Sequence, residues 1–292
     1  RRVLSARVAF GLGWIIWFAY IVAGVLYALG FGIYGARLLD MLFGAVNLPT
    51  PRWILTHGGA VGLAVVALIV YTASLIRQSA GGGKWSAWGK VVVLGFLALV
   101  GLWVLMSNQP LDSFEKLTPF MTDGTIGLLS AMGISFIAFQ GFDLVATVAS
   151  EIKEPAKNAP RAMFYSLGSA MVIYIPLLLV VATVGTGDHP HVSQLAAEGG
   201  DTLMATAVGH YMGPMGVWLV LIAAVLATLS ALHANLLAAS RVAQTMATDR
   251  TLPWVMGVKH ERYGTPSMAV YSSALAMGAL LFMLPDLSAA GS

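Results

Sequence analysis

The sequence GISFIAFQGFDLVATVASEIKEPAKNAPR, residues 133–161, combines a membrane-length apolar run, an internal weak point and a charged exit with two prolines. Within it Gly141 follows the polar Gln140, and a glycine inside a helix destabilises it by roughly 1 kcal/mol relative to alanine. Gln140 and Asp143 are costly in a membrane unless they face a cavity or the protein interior. Two interpretations stay open: a continuous spanning helix that tolerates a glycine, or a broken helix whose freed backbone groups bind a solute.

The composition predicts an integral membrane protein. Of 292 residues, 58% are hydrophobic and 10% are charged, and the mean hydropathy is +0.80. Soluble domains carry about 25% charged residues. Cysteine is absent, which excludes disulfides and thiolate metal sites, and we expect no metal. The net charge of +3 is too small and too scattered to indicate a nucleic-acid partner, so the expected surroundings are the lipid bilayer.

Apolar runs of spanning length predict an all-α polytopic protein with a single membrane domain over residues 1–292. We expect seven spans, at about residues 8–36, 54–76, 91–111, 124–150, 162–187, 214–240 and 267–284. Pro176 is expected to kink the fifth span, and Gly213-Pro214 opens the sixth. The longest polar loop, Asp188 to Met212, is expected to hold a short surface helix near Leu203.

The loop charges orient these spans with the N-terminal end of the chain in the cytoplasm. Only three of the 16 basic residues then lie outside, namely Arg37, Arg52 and Lys116. The remaining 13 lie inside: Arg1, Arg2, Arg7, Arg77, Lys84, Lys90, Lys153, Lys157, Arg161, Arg241, Arg250, Lys259 and Arg262. Because an odd number of spans leaves the two ends on opposite faces, and the opening residues resemble a cytoplasmic loop, we expect a fragment lacking helices at both ends.

Three stretches carry a resemblance to a known family. They are residues 136–163, FIAFQGFDLVATVASEIKEPAKNAPRAM; residues 229–266, LSALHANLLAASRVAQTMATDRTLPWVMGVKHERYGTP; and residues 10–30, FGLGWIIWFAYIVAGVLYALG. In this order they resemble the sixth, eighth and third helices of amino-acid permeases of the amino acid–polyamine–organocation superfamily. The resemblance covers essentially the whole chain, as about the third to ninth helices of a twelve-helix protein.

The resemblance implies a LeuT-type inverted-repeat transporter fold, incomplete here, with the first and sixth helices unwound at the membrane midplane. In such proteins amide groups of the first helix hold the substrate carboxylate, and carbonyl groups of the sixth hold its ammonium. The matching carbonyls here belong to Ile137, Ala138, Phe139 and Gln140, and Gly141 supplies the freedom to unwind. The half of the pocket formed by the first helix is expected to lie outside this chain.

Further candidates for the substrate site each have a structural alternative. Phe139 and Phe142 either line the side-chain subsite or pack behind it, and the side chain of Gln140 either tunes selectivity or does not. Asn235 either bonds the substrate or joins two helices. Tyr20 either reaches the pocket or contacts lipid or another helix.

A second group of residues concerns ion coupling or gating. Asp143 and Glu151 either relay a proton or pair with a fixed cation such as Arg161 or Arg241. Thr228 and Ser230 either offer hydroxyl oxygens to sodium or bond to their own helix. No cofactor is expected; the coupling ion is H+ or Na+, and exchange of one amino acid for another without an ion fits equally well.

The predicted function is that of a secondary transporter that moves amino acids, neutral ones first, across the plasma or inner membrane by alternating access. The alternative is a transporter-like sensor or scaffold that binds amino acids without transport. An enzyme is not expected, because no pair of catalytic groups lies at one depth. The oligomeric state is open.

Overall fold

The computed structural model describes residues 6–77, 84–107, 114–118, 124–138, 141, 144–147, 152–260 and 264–283. These residues form helices, turns and loops, and no strand occurs among them. The helices are α1 Ala6–Ala45, α2 His57–Arg77, α3 Lys84–Ser107, α4 Gly124–Ala138, α5 Leu144–Thr147, α6 Pro155–Ala182, α7 Val192–Gly199, α8 Leu203–Thr248 and α9 Ser267–Met283. The predicted all-α fold class is confirmed.

Five of the described helices are long and apolar enough to cross a membrane: α1, α2, α3, α6 and α8. Two shorter apolar helices accompany them, Gly124–Gly133 within α4 and the whole of α9. Leu, Ile, Val, Phe and Ala dominate their sequences, and many large apolar side chains along them are exposed, for example Leu99, Ile126 and Leu275. Exposed apolar surface of this extent is expected where lipid replaces water.

Two helices extend well past the predicted spans. α1 continues to Ala45 rather than ending at Ala36, and the carboxylate of Asp40 on its last turns accepts a bond of 2.7 Å from Thr50 Oγ1. α8 begins at Leu203, and its first segment joins the rest across Gly213, where φ is +65°. The loop from Asp188 to Met212 holds two helical segments: the one predicted near Leu203, which precedes Gly213, and a second one at Val192–Gly199. Hydropathy indicates which residues can lie in lipid. The end of a helix is determined instead by its capping residues and hydrogen bonds.

The contacts divide the chain into two units. The first unit contains α1, α2, α5, α9 and α8 from Ala227 onwards. The second contains α4, α7, α8 up to Leu226, α3 apart from Lys84 and α6 apart from Pro155. Each unit has a core of its own.

The core of the first unit lies where α1, α2, α8 and α9 meet. Tyr20 and Ile21 of α1, Leu232 and Leu236 of α8 and Met277 of α9 are at most 1% exposed. Small residues let the backbones approach: a Cβ added to Gly32 of α1 would overlap the carbonyl of Ala60 on α2. In lipid no hydrophobic effect drives helices together, so their association depends on close packing of this kind.

The core of the second unit includes a small cluster around Leu195 of α7, with Val181 of α6 and Ala207 of α8. Polar bonds hold the neighbouring turns. Lys116 Nζ donates to Thr186 Oγ1 at 3.0 Å and to the Gly187 carbonyl at 2.7 Å, and His210 Nδ1 lies 2.8 Å from the Gly185 carbonyl oxygen. These bonds fix the connection that follows α6.

Candidate functional site

Gly141 marks an interruption within the stretch of residues 133–161. The described part of α4 runs to Ala138, Gly141 has a φ of +122°, and α5 covers Leu144–Thr147. Side chains with a Cβ rarely adopt that φ, so glycine is the residue suited to the position. Of the two interpretations of this stretch, the described residues favour the broken helix.

Two of the predicted ammonium acceptors lie just before this interruption. Ile137 and Ala138 belong to α4 and precede Gly141 by four and three residues. A carbonyl group released where a helix breaks lacks its N–H partner and lies at the negative end of the helix dipole, which favours a cation. That these two carbonyls bind the ammonium stays a prediction.

Several predicted residues of this stretch lie outside the described part of the chain: Phe139, Gln140, Phe142, Asp143 and Glu151. Their roles in substrate binding and ion coupling stay predictions.

Tyr20 and Asn235 both belong to the first unit, whereas residues 137–142 belong to the second. Tyr20 is 1% exposed within the first core, on the face of α1 that meets α8. Asn235 is 5% exposed, and its Nδ2 donates to the Ala231 carbonyl at 2.9 Å. That bond lies within α8, so Asn235 satisfies one amide proton locally rather than across a helix pair.

The coupling candidates on α8 occupy half-buried positions. Thr228 packs its methyl group towards Gly30 of α1, where an added Cβ would lie 3.3 Å away. Ser230 is half-buried two residues on. Arg241, farther along α8, donates from Nη1 to Gln244 Oε1 at 3.2 Å, and Arg161 is exposed on α6. Their roles in ion coupling or gating stay predictions.

Two polar pairs in the first unit were not predicted from the sequence. Trp17 Nε1 donates to Ser273 Oγ at 3.1 Å, joining α1 to α9. The rings of Tyr71 and His233 lie 5.4 Å apart between α2 and α8. The only sequence signal was the rarity of such side chains in an apolar run. This rarity marks a residue as a candidate for a polar contact between helices, but it does not show which residue is its partner.

A model of the amino acid permease family matches residues 1–290. The chain belongs to the amino acid permease family. The predicted resemblance is therefore confirmed, and membership of a permease family supports transport rather than enzymatic catalysis. Family membership and the apolar helices together indicate an integral membrane protein.

Named relatives illustrate the range of the family. This chain is 31% identical to the inner membrane transport protein YbaT of Escherichia coli, over 70% of this chain and 44% of that protein. It is 27% identical to the vacuolar cationic amino acid transporter 2 of Arabidopsis thaliana, over 97% and 44%. It is 27% identical to the branched-chain amino acid permease BcaP of Bacillus subtilis, over 92% and 56%. The chain spans about half the length of the relatives it matches.

Proposed function

We propose that the protein containing this chain is a secondary transporter that moves neutral amino acids across the plasma or inner membrane by alternating access. The observation that carries the proposal is the family match over residues 1–290. Relatives with amino acids in their names match most of this chain, which supports an amino acid as the substrate class.

The interruption at Gly141 supplies the chemistry that this function needs. A zwitterion in a low-dielectric cavity needs acceptors for its ammonium and donors for its carboxylate, and helix termini provide both without formal charge. In the proposed site the carbonyls of Ile137 and Ala138, which precede the interruption at Gly141, receive the ammonium. Phe139, Gln140 and Phe142 continue that surface, and Gly141 allows the chain to leave the helix.

The side chains assigned to the substrate support a neutral amino acid. None of the eight carries a formal charge at pH 7: Tyr20, Ile137, Ala138, Phe139, Gln140, Gly141, Phe142 and Asn235. A cationic side chain would leave an unpaired charge in such a pocket, which costs several kcal/mol in a low-dielectric site. The proposed preference therefore resembles that in the name of the Bacillus relative rather than that of the Arabidopsis one.

Coupling in the proposed transporter uses H+ or Na+. Asp143 and Glu151 are the proton candidates, and the hydroxyls of Thr228 and Ser230 are the sodium candidates. Arg241 would serve as a fixed cation near the cytoplasmic gate.

Uptake by the full-length protein in proteoliposomes tests the proposal. We expect accumulation of radiolabelled leucine, but not of lysine, above the level in protein-free liposomes. Imposing a sodium gradient and a pH gradient separately identifies the coupling ion. Lysine uptake in preference to leucine would contradict the neutral substrate. Saturable leucine binding without uptake or exchange would contradict transport and favour a sensor.

A further inference from the structure

A cavity of about 610 Å³ opens on the first unit. It lies between the last turn of α2, the first turns of α9 and the segment from Trp254 to His260. Its volume lies within the range of ligand clefts, about 300–1,000 Å³. Of the residues assigned to the amino-acid substrate or to ion coupling, none that the structure describes lines it.

The walls of this cavity are tied together by hydrogen bonds. Thr265, which is 3% exposed, donates from Oγ1 to the Ile76 carbonyl at 2.9 Å and so fastens the start of α9 to the end of α2. The His260 amide donates to the Thr265 carbonyl at 2.8 Å, and the Gly264 amide donates to the His260 carbonyl at 2.8 Å. The cavity is therefore formed by the fold itself rather than by exposed side chains alone.

The lining combines cationic and apolar groups. Arg77 and Lys259 are exposed at its edge, and none of the described residues that line it is acidic. Val258 and Met268 contribute apolar surface and are each about half exposed, at 48% and 50%. A flat cationic surface attracts only diffuse counter-ions, whereas this cavity offers charge and an apolar wall to the same ligand.

Two exposed aromatic side chains line the cavity and are of the kinds typical of the lipid headgroup region. Trp254 is 75% exposed and Tyr271 is 54% exposed, and both line the opening. Exposed Trp and Tyr concentrate at the membrane–water interface, where an apolar ring and a polar group are both accommodated. Arg77 is the last residue of α2 and Ser267 the first of α9, so the cavity lies where two apolar helices end.

We propose that this cavity binds an anionic phospholipid of the cytoplasmic leaflet. Arg77 and Lys259 would hold the phosphate, Trp254 and Tyr271 would flank the headgroup, and Val258 and Met268 would contact the first carbons of an acyl chain. The predicted orientation places both helix ends inside, where anionic lipids attract basic residues. A neutral lipid would make only the apolar contacts, so the charge of the headgroup determines which lipid binds.

Lipid titration of the full-length protein in detergent, followed by native mass spectrometry, tests this site. Each basic residue near a membrane surface contributes about fivefold in affinity for anionic lipid. We expect phosphatidylglycerol to bind roughly 25-fold more tightly than phosphatidylcholine. In the double variant Arg77→Gln/Lys259→Gln the two lipids should bind about equally. The double variant Arg77→Lys/Lys259→Arg should keep the preference.

A charge-matched control separates the site from net charge. Lys157 and Arg250 are exposed, are predicted to lie on the same face and do not line the cavity. The variant Lys157→Gln/Arg250→Gln removes the same charge and should keep the preference for phosphatidylglycerol. An equal loss in this control, or an unchanged preference in Arg77→Gln/Lys259→Gln, would overturn the proposal. Displacement of the bound lipid by an equal concentration of soluble glycerol phosphate would also overturn it, because the site would then recognise phosphate without the lipid.

Discussion

At the scale of single residues, Gly141 connects backbone geometry to the proposed substrate site. Its φ of +122° is strained for any residue with a Cβ, at a cost of about 1–3 kcal/mol. Gly141→Ala should therefore displace the end of α4 and reduce leucine uptake at least tenfold while leaving the protein folded. Initial rates in proteoliposomes, with protein amount determined by gel, measure the effect.

Gly133 provides the control for Gly141. It is exposed on helical α4, and a Cβ added there meets nothing within 4 Å. Gly133→Ala should leave uptake within about twofold of the unmodified protein, since alanine favours the helix. Equal rates in the Gly141 and Gly133 variants would show that the proposed site does not depend on this interruption.

The bond from Trp17 to Ser273 is the second residue-scale feature with a measurable consequence. Ser273 is fully buried, and its hydroxyl accepts the indole N–H of Trp17 at 3.1 Å. Ser273→Ala should lower the free energy of unfolding by about 0.6 kcal/mol, the average for bonds between membrane helices, and by no more than about 1.7 kcal/mol, the largest value found. Thermal unfolding in detergent provides the measurement, and a double-mutant cycle with Trp17→Phe isolates the pair.

The adjacent Ser272 distinguishes a bond between helices from a bond within one. Its hydroxyl donates to the Ala269 carbonyl of its own helix at 3.1 Å. Ser272→Ala should change stability by less than about 0.5 kcal/mol. A coupling energy near zero between Trp17 and Ser273 would mean that this bond does not stabilise the pair of helices.

Gly141 and the pair of Trp17 with Ser273 differ in how far the sequence could predict them. Gly141 was predictable because a glycine beside a polar residue contradicts an otherwise apolar helix. The partnership of Trp17 with Ser273 was not, because the two lie 256 positions apart and neither is unusual in its own helix. Pairing across helices depends on their relative rotation, which a hydropathy pattern leaves undetermined.

At the scale of helices, the approach of α1 to α2 is the closest packing in the first unit that a single methyl group can test. A Cβ on Gly32 would overlap the backbone carbonyl of Ala60, and backbone cannot rotate away as a side chain can. Gly32→Ala should therefore separate the helices and cost about 1–3 kcal/mol of stability. Gly44, on the same helix, has open space around it, and Gly44→Ala should be neutral or stabilising.

The midpoint of thermal unfolding in detergent compares these two variants. A lower midpoint for Gly32→Ala than for Gly44→Ala is the expected result. Midpoints that agree within error would mean that α1 and α2 can separate at no cost, contrary to the close contact seen here.

The apolar runs in the sequence predicted the helices, but they did not predict the residues at which the helices end. α1 and α8 were predicted to end near residues 36 and 240, yet they reach Ala45 and Thr248. Residues beyond the lipid still form helix when nothing stops them, and Asp40 gains a local bond to Thr50 there. In contrast, Gly213-Pro214 gave a correct signal, because glycine accepts the positive φ and proline suits a first helical turn.

At the scale of the whole molecule, sequence identified the family because three long motifs occur in the right order, and the family match over residues 1–290 confirms it. The candidate site was harder to predict, since Tyr20 and Asn235 belong to one unit and residues 137–142 to the other. Their joint participation depends on the arrangement of helices, which residue spacing does not reveal. The orientation in the membrane, by contrast, rests on loop charges alone and can be tested directly.

Introduced cysteines test that orientation, because this chain has no cysteine of its own. Ala156 at the start of α6 and Ala197 on α7 are both exposed, and the predicted topology places them on opposite faces. A membrane-impermeant maleimide should label Ala197→Cys in intact cells, and Ala156→Cys only after permeabilisation. The reverse pattern would show that the charge-derived orientation is inverted, and would also place the proposed lipid cavity in the opposite leaflet. Labelling of both cysteines in intact cells would show that α6 does not cross the membrane.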